Sequence, residues 1–274
     1  MIFGMIVGML PKPNDGFGWL QLDEGPALVC RALAPHAGHL FTTRQWRLGA
    51  GDDGHRAEAW GDVARALGVE SGQLQRAHQV HGNAVVVRRA GEPRRDAAPL
   101  PDADILVSND PETVLSIQTA DCVPLLIADR RTGAVAAAHA GWRGLAAHVP
   151  TVTVQALTRE FGSQSADLVA AVGPSISGPR YEVGPEVRER FAANGFSEAD
   201  CDRWFAPASR PGHWWFDGWA SASDQLAAAG LASAAIHLSG LCTASVPEVL
   251  CSYRRDGKAA GRMAAAIRAL PRRP

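Results

Sequence analysis

The stretch from Ala103 to Gly144 reads ADILVSNDPETVLSIQTADCVPLLIADRRTGAVAAAHAGWRG. It contains four apolar runs of strand length: Ile105–Ser108, Val114–Gln118, Val123–Ala128 and Ala134–Ala138. Asn109-Asp110-Pro111 and the segment Asp129 to Gly133 are rich in turn-forming residues and separate them. Four strands in succession, with no helix-length segment between them, predict a sheet-rich core and argue against a uniform βαβ chain. Two residues at the ends of these runs carry chemistry, Cys122 and His139. A thiol and an imidazole at neighbouring strand ends fit either a cysteine nucleophile with its base or two ligands of a metal.

Working outward, Ala27 to Ala32, His39 to Thr43, Ala84 to Val87 and Leu168 to Val172 read as strands, as do Ala234–Leu238 and Val249–Tyr253. Met1 to Leu10 is apolar but too short to span a bilayer, which takes ~20 residues. It lacks the flanks of a signal peptide and reads as a first strand, or as sequence upstream of the true start. Asn14-Asp15-Gly16 is a turn. Helical spacing appears between Asp52 and Leu67 with Asp52 or Asp53 as N-cap, from Leu145 to Phe161, from Pro185 to Ala193, and from Asp217 to Ala229 with Gly230 after it. Pro150 limits the start of the second of these. Residues 90 to 101 read as a surface loop and 194 to 216 as an irregular, Trp-rich segment, while Arg262 to Leu270 fits a helix or a strand. The fold class expected is α+β, a single domain over residues 1–274 with mixed sheets in layers flanked by helices.

The composition is ordinary for a protein with a substantial core, with 46% hydrophobic residues, 20% charged residues and a net charge of −1 over 274 residues. Without a concentrated positive field, neither nucleic acid nor an anionic membrane is the expected partner. Five scattered cysteines do not form a disulfide framework and point to a reducing cytoplasm. There is no P-loop, no G-x-S-x-G, no C-x-x-C and no dinucleotide-binding glycine motif after a strand.

Cys122 follows Asp121, whose charge alone would raise a thiol pKa. A reactive thiolate there needs an imidazolium or a metal close by, which His139 and His81 are placed to supply. His78 and His81 form an H-x-x-H pair, and on an extended chain only one of them faces a given site; His81, beside Gly82, is the expected one. His81, Cys122 and His139 together make three ligands, the number a catalytic zinc site uses. Arg143, at the start of a helix, and the segment Ser252-Tyr253-Arg254-Arg255-Asp256-Gly257 are candidate anion-binding groups.

Gln79-Val80-His81-Gly82, Asp104, Thr119-Ala120-Asp121-Cys122-Val123-Pro124 and His139-Ala140-Gly141-Trp142-Arg143-Gly144 resemble the motifs of the YfiH-type family, also called the laccase-domain or polyphenol oxidase family. Gly173-Pro174-Ser175-Ile176, Tyr181-Glu182-Val183-Gly184, Leu241-Cys242-Thr243 and the Ser252 to Gly257 segment, followed by Gly261-Arg262-Met263, continue the resemblance in order, over about residues 39 to 270. The resemblance implies a fold similar to cysteine hydrolases and zinc ligands at His81, Cys122 and His139, copper being the alternative metal. It implies phosphorolysis of adenosine, inosine, guanosine or methylthioadenosine to base and ribose 1-phosphate, with adenosine deamination beside it. Asp121 joins the three ligands as a catalytic candidate, and Tyr181, Glu182, Arg143 and Arg254 are candidates for substrate or phosphate binding. The alternatives are a cysteine hydrolase or amidase that edits peptidoglycan precursors, and a copper-dependent polyphenol oxidase, although this chain has none of the H-x-H pairs that multicopper oxidases use. The sequence departs from the family pattern at Gln45 to Gly49, where a glycine-rich segment is usual, and at Pro179-Arg180, where cysteines are frequent.

Overall fold

The structure, a computed structural model, describes residues 10–49, 57–92 and 99–271. The four runs of the central stretch form strands β6 (Ile105–Ser108), β7 (Val114–Thr119), β8 (Val123–Asp129) and β9 (Val135–Ala140). They do not share one sheet. The first sheet holds β1 (Phe17–Leu22), β2 (Gly25–Cys30), β3 (Ala37–Thr42), β15 (Met263–Ala269), β7 and β4 (Leu74–Gln75), in that order. The second holds β14 (Ile236–Leu238), β10 (Leu168–Val172), β8, β9, β6 and β5 (Val85–Arg88). Most pairings are antiparallel, with parallel ones at the edges: β4 on β7, β5 on β6 and β14 on β10.

The two sheets pack face to face, which explains why β8 and β9 are apolar on both sides. Every residue of both strands is buried. On β9, Val135 and Ala137 meet the first sheet, while Ala136 and Ala138 meet the helices behind. The run of alanines lets sheet and helix approach closely on either side. The outer face of the first sheet is covered by α1 (Ala57–Ala66) through Trp60 and Val63. The outer face of the second carries α2 (Trp142–Ala146), α3 (Val149–Phe161) and α6 (Gly218–Ala228). The layers are therefore helix, sheet, sheet, helices, a mixed α+β fold. No helix among the described residues is long and apolar enough to cross a membrane.

Three expectations are corrected. The helix expected from Leu145 to Phe161 is two helices, broken at His148, whose φ of 61° is left-handed. Pro150 in the first turn of α3 has no backbone N–H to continue the preceding helix. Val249–Tyr253 is not a strand, because β15 already lies between β3 and β7 in the first sheet. The chain there is a loop whose carbonyls take hydrogen bonds from Arg44 and Arg255, and it enters the short helix α7 (Tyr253–Asp256). The segment 194 to 216 is ordered: α5 (Glu198–Trp204) starts at a Ser197/Asp200 capping box, and β12 (Phe205–Pro207) and β13 (Trp214–Phe216) pair with β11 (Glu182–Val183) in a small third sheet. Strands of two or three residues are too short for alternation to reveal.

The remaining ambiguity resolves to strand at Met263–Ala269, and α4 (Pro185–Ala193) and α6 lie where the spacing placed them. The proposed N-caps Asp52 and Asp53 and most of the apolar N-terminal run lie outside the described residues. All five cysteines are free.

Candidate metal centre and active site

Sheet register builds the site. In the antiparallel pair β6–β9, Ile105 faces Ala138, so the next pair outward sets Asp104 opposite His139. In β8–β9, Val123 faces Ala140, so Cys122 falls opposite Gly141. Side chains alternate along a strand. Since Val135 and Ala137 face the first sheet, His139 does too, and Leu106 puts Asp104 on the same face. Asp104 and His139 are thus cross-strand neighbours on one face at the end of the sheet.

Their side chains meet. His139 Nδ1 lies 2.7 Å from Asp104 Oδ1, with both groups buried. A carboxylate only accepts, so Nδ1 carries the proton and Nε2 is left for the site. Asp104 also accepts the backbone N–H groups of Val80 at 3.2 Å, His81 at 3.1 Å and Gly82 at 2.7 Å. This brings in the third segment. His81 stands in a left-handed conformation, φ 61°, in the loop before β5, and its ring meets that of His139 edge-on with centroids 4.9 Å apart.

One ligand atom from each of His81, Cys122 and His139 lies within 4.8 Å of the other two. Two imidazoles and a thiol form a donor set suited to zinc or copper. His81 is exposed, Cys122 half-buried and His139 buried, so the cluster opens to solvent on the His81 side. Gly141 keeps it open from within, since a Cβ there would come 2.9 Å from Cys122 Sγ and 3.2 Å from His81 Cδ2. These residues fit a metal ion. His78 points elsewhere and bonds Asp102 at 2.7 Å, so one histidine of the H-x-x-H pair faces the cluster; the extended strand expected to run through both histidines ends at Gln75, and it is the left-handed loop at His81 that separates the two rings.

The electrostatics favour an ion pair. Burial opposes a thiolate at Cys122, but His139 and His81 outweigh it and the pKa falls to about 6. Burial equally opposes a charge on His139, but Cys122 and Asp104 outweigh it and the pKa is pushed up to about 9. Asp104 is held below the ordinary carboxylate range: burial works against it, and the His139 contact and the Gly82 and His81 N–H groups prevail.

Beside Cys122 lies a pocket walled by Trp142, Leu145, Ile176, Tyr181 and Phe216. Burial, then the Cys122 charge, raises the Tyr181 pKa and keeps its hydroxyl protonated. Arg254 stacks over the Tyr181 ring at 4.6 Å and donates to the Glu182 carbonyl at 2.7 Å. Arg143 lies over Trp142 at 4.3 Å and has no carboxylate partner among the described residues. Two other candidates point away: Glu182 pairs its carboxylate with Arg210 at 3.1 Å, and Asp121 turns its carboxylate toward Thr243, Ser252 at 3.0 Å and the Arg254 backbone N–H at 2.6 Å.

The part played by Asp104 was not read from the sequence. The sequence signals for it are its place among the residues that carry the family resemblance and a carboxylate directly before a fully buried strand, where it must find partners. Trp142 and Ile176 stood in the sequence only as members of the resembling motifs, and Phe216, in the segment read as irregular, carried no signal.

The model of one family, described as multi-copper polyphenol oxidoreductase laccase, matches residues 40–269. The chain belongs to this family. Among relatives of the laccase-domain chain, a protein named purine nucleoside phosphorylase from Deinococcus radiodurans is 36% identical over 247 residues, covering 86% of this chain and 90% of its own. The Escherichia coli K12 protein named purine nucleoside phosphorylase YfiH is 39% identical over 189 residues, 69% and 71% of the two chains. A protein named purine nucleoside phosphorylase from Bacteroides thetaiotaomicron is 40% identical over 164 residues, and the match spans 60% of each chain. The solved structure of Bacillus licheniformis hypothetical protein YfiH superposes with a TM-score of 0.80 at 26% identity, covering 89% of this chain and 96% of that one. YlmD from Geobacillus stearothermophilus gives 0.78 at 25%, covering 92% and 99%.

Proposed function

We propose that this laccase-domain chain is a zinc-dependent purine nucleoside phosphorylase that also deaminates adenosine. The observation that carries the reading is the His81, Cys122 and His139 cluster opening beside an aromatic-walled pocket with two arginines near it. The names of the relatives support the nucleoside substrate. In phosphorolysis a phosphate oxygen bonds to ribose C1′ as the C1′–N9 bond breaks, and the base leaves with the electron pair and takes up a proton. Arg143 and Arg254 offer the phosphate two planar guanidiniums with donors in a fork that matches its oxygens. Trp142, Leu145, Ile176 and Phe216 offer the purine a mostly apolar slot. Tyr181, kept protonated, is a hydrogen-bond donor between them. His81, Cys122 and His139 would hold a zinc ion, which would supply Lewis acidity beside the pocket. Copper is the poorer reading, because a multicopper centre needs several donor sets and the described residues hold this one. The five free cysteines fit a cytoplasmic enzyme.

Adenosine incubated with purified zinc-loaded protein should give adenine and ribose 1-phosphate only when phosphate is present, and inosine and ammonia by the second activity. Zinc-loaded protein with Cys122 reduced that releases no base from adenosine refutes the phosphorylase reading.

One observation favours a second reading. Cys122, His139 and Asp104 are arranged as nucleophile, base and orienting carboxylate, the constellation of a cysteine hydrolase or of an amidase acting on peptidoglycan precursors. Inhibition by zinc, with a covalent acyl adduct at Cys122, would establish it over the first.

A further inference from the structure

We infer that Asp104 is the positioning residue that sets two of the three proposed metal ligands at once. The inference rests on the metal reading above and extends it beyond the ligands. Cys122 precedes β8 and His139 lies in β9, so the sheet register alone brings these two together. His81 has no such support. It lies in a loop, exposed, with a left-handed backbone that is uncommon for a residue other than glycine.

Asp104 holds it there. Its Oδ2 takes the N–H groups of Val80 and Gly82 on either side of His81, and its Oδ1 takes the His81 N–H and lies against His139 Nδ1. One buried carboxylate thus fixes the loop that carries one imidazole and the ring orientation of the other. Every contact it makes is with an N–H donor, so a neutral amide of the same shape cannot replace it. Whichever way the amide introduced by Asp104→Asn turned, its NH2 would meet donors: the Val80 and Gly82 N–H groups at the Oδ2 position, or the His81 N–H and His139 Nδ1–H at the Oδ1 position. In the second case His139 would move its proton to Nε2 and lose the lone pair it offers a metal.

The test uses full-length protein stripped by a chelator and titrated with zinc chloride against a chromophoric competitor. Asp104→Asn should melt as a folded protein yet bind zinc about 10- to 100-fold more weakly, the usual cost of removing a carboxylate behind a ligating histidine. With cobalt(II) as the probe, its thiolate-to-metal charge-transfer band should weaken or shift. Zinc affinity equal to wild type overturns the inference, whatever happens to stability. Wild-type protein that takes up no zinc overturns the metal reading itself, and the inference with it. If Asp104→Asn does not fold, the histidine nitrogens of the zinc-loaded wild type decide the matter. A proton on His139 Nδ1 with Nε2 on the metal supports the inference, and metal on Nδ1 refutes it.

Discussion

The Asp121 carboxylate accepts the backbone N–H of Arg254 at 2.6 Å, joining two residues 133 positions apart in the chain. The same carboxylate takes the hydroxyls of Thr243 and Ser252. Asp121 therefore ties the loop that presents Cys122 to the turn that presents Arg254, and it does so from a backbone at φ 93°, a conformation that aspartate tolerates better than most side chains. Its oxygens are spent on this link.

Asp121→Asn keeps a side chain suited to positive φ and removes the charge. It should cost about 1–3 kcal/mol of stability, from hydrogen bonds to a buried ion that are weakened or lost. In the phosphorylase assay the KM for phosphate should rise while zinc affinity stays near wild type. A variant with unchanged KM would show that the Arg254 turn does not depend on this link.

Arg143→Met keeps the side chain's length over Trp142 and removes its guanidinium. Loss of a charged hydrogen bond to phosphate, ~1.5–3 kcal/mol, corresponds to roughly a 10- to 100-fold rise in phosphate KM. Steady-state kinetics at varied phosphate would read it. A change confined to nucleoside KM would place phosphate elsewhere.

The Cys122–His139 pair sets a pH window in the metal-free protein. The folded pKa of Cys122, about 6, lies below its unfolded value, so its stabilising contribution is present at high pH and is lost as pH falls through about 6. That of His139, about 9, lies above its unfolded value, so its contribution is full at low pH and is lost as pH rises through about 9. The thiolate–imidazolium pair is intact between these limits. Alkylation of Cys122 by iodoacetamide, located by mass spectrometry, should therefore show its midpoint near pH 6 instead of the ordinary ~8.5 for a free thiol. An ordinary midpoint would mean that the imidazoles do not hold the charge.

Gly141→Ala tests crowding at the cluster. Gly141 has φ −65°, so alanine is conformationally acceptable there and the clash with Cys122 and His81 is the whole effect. Zinc affinity should fall by roughly tenfold or more, the scale of disturbing a ligand's setting, while far-UV circular dichroism stays unchanged. Wild-type affinity would show that the ligands have room to shift.

Gly173→Ala tests the packing between the sheets. A Cβ there would overlap the Phe41 ring in the first sheet and lie 2.8 Å from Pro124 Cγ in the second. Overpacking of this kind costs about 1–3 kcal/mol or more, and a lowered melting temperature should report it. An unchanged melting temperature would mean that Phe41 moves aside freely.

Local chemistry made much of this molecule legible. Runs of apolar residues between turn residues placed β6 to β10, because burial on both faces demands uninterrupted hydrophobicity. Cys122 and His139 stood out because polar, reactive side chains end those runs, and His81 because a glycine follows it in a short connection. Such signals lie within a few residues of the group they concern. The tertiary structure alone decided the rest. It divided four consecutive strands between two sheets, since pairing partners such as β3 and β15 come from opposite ends of the chain. It set Asp104 beside His139 through cross-strand register, 35 residues apart, and turned Asp121 from the cluster toward Thr243, Ser252 and Arg254. A hydrogen bond between distant residues leaves no periodicity in either segment, so the sequence named the reactive groups and only the folded sheets determined which carboxylate supports them.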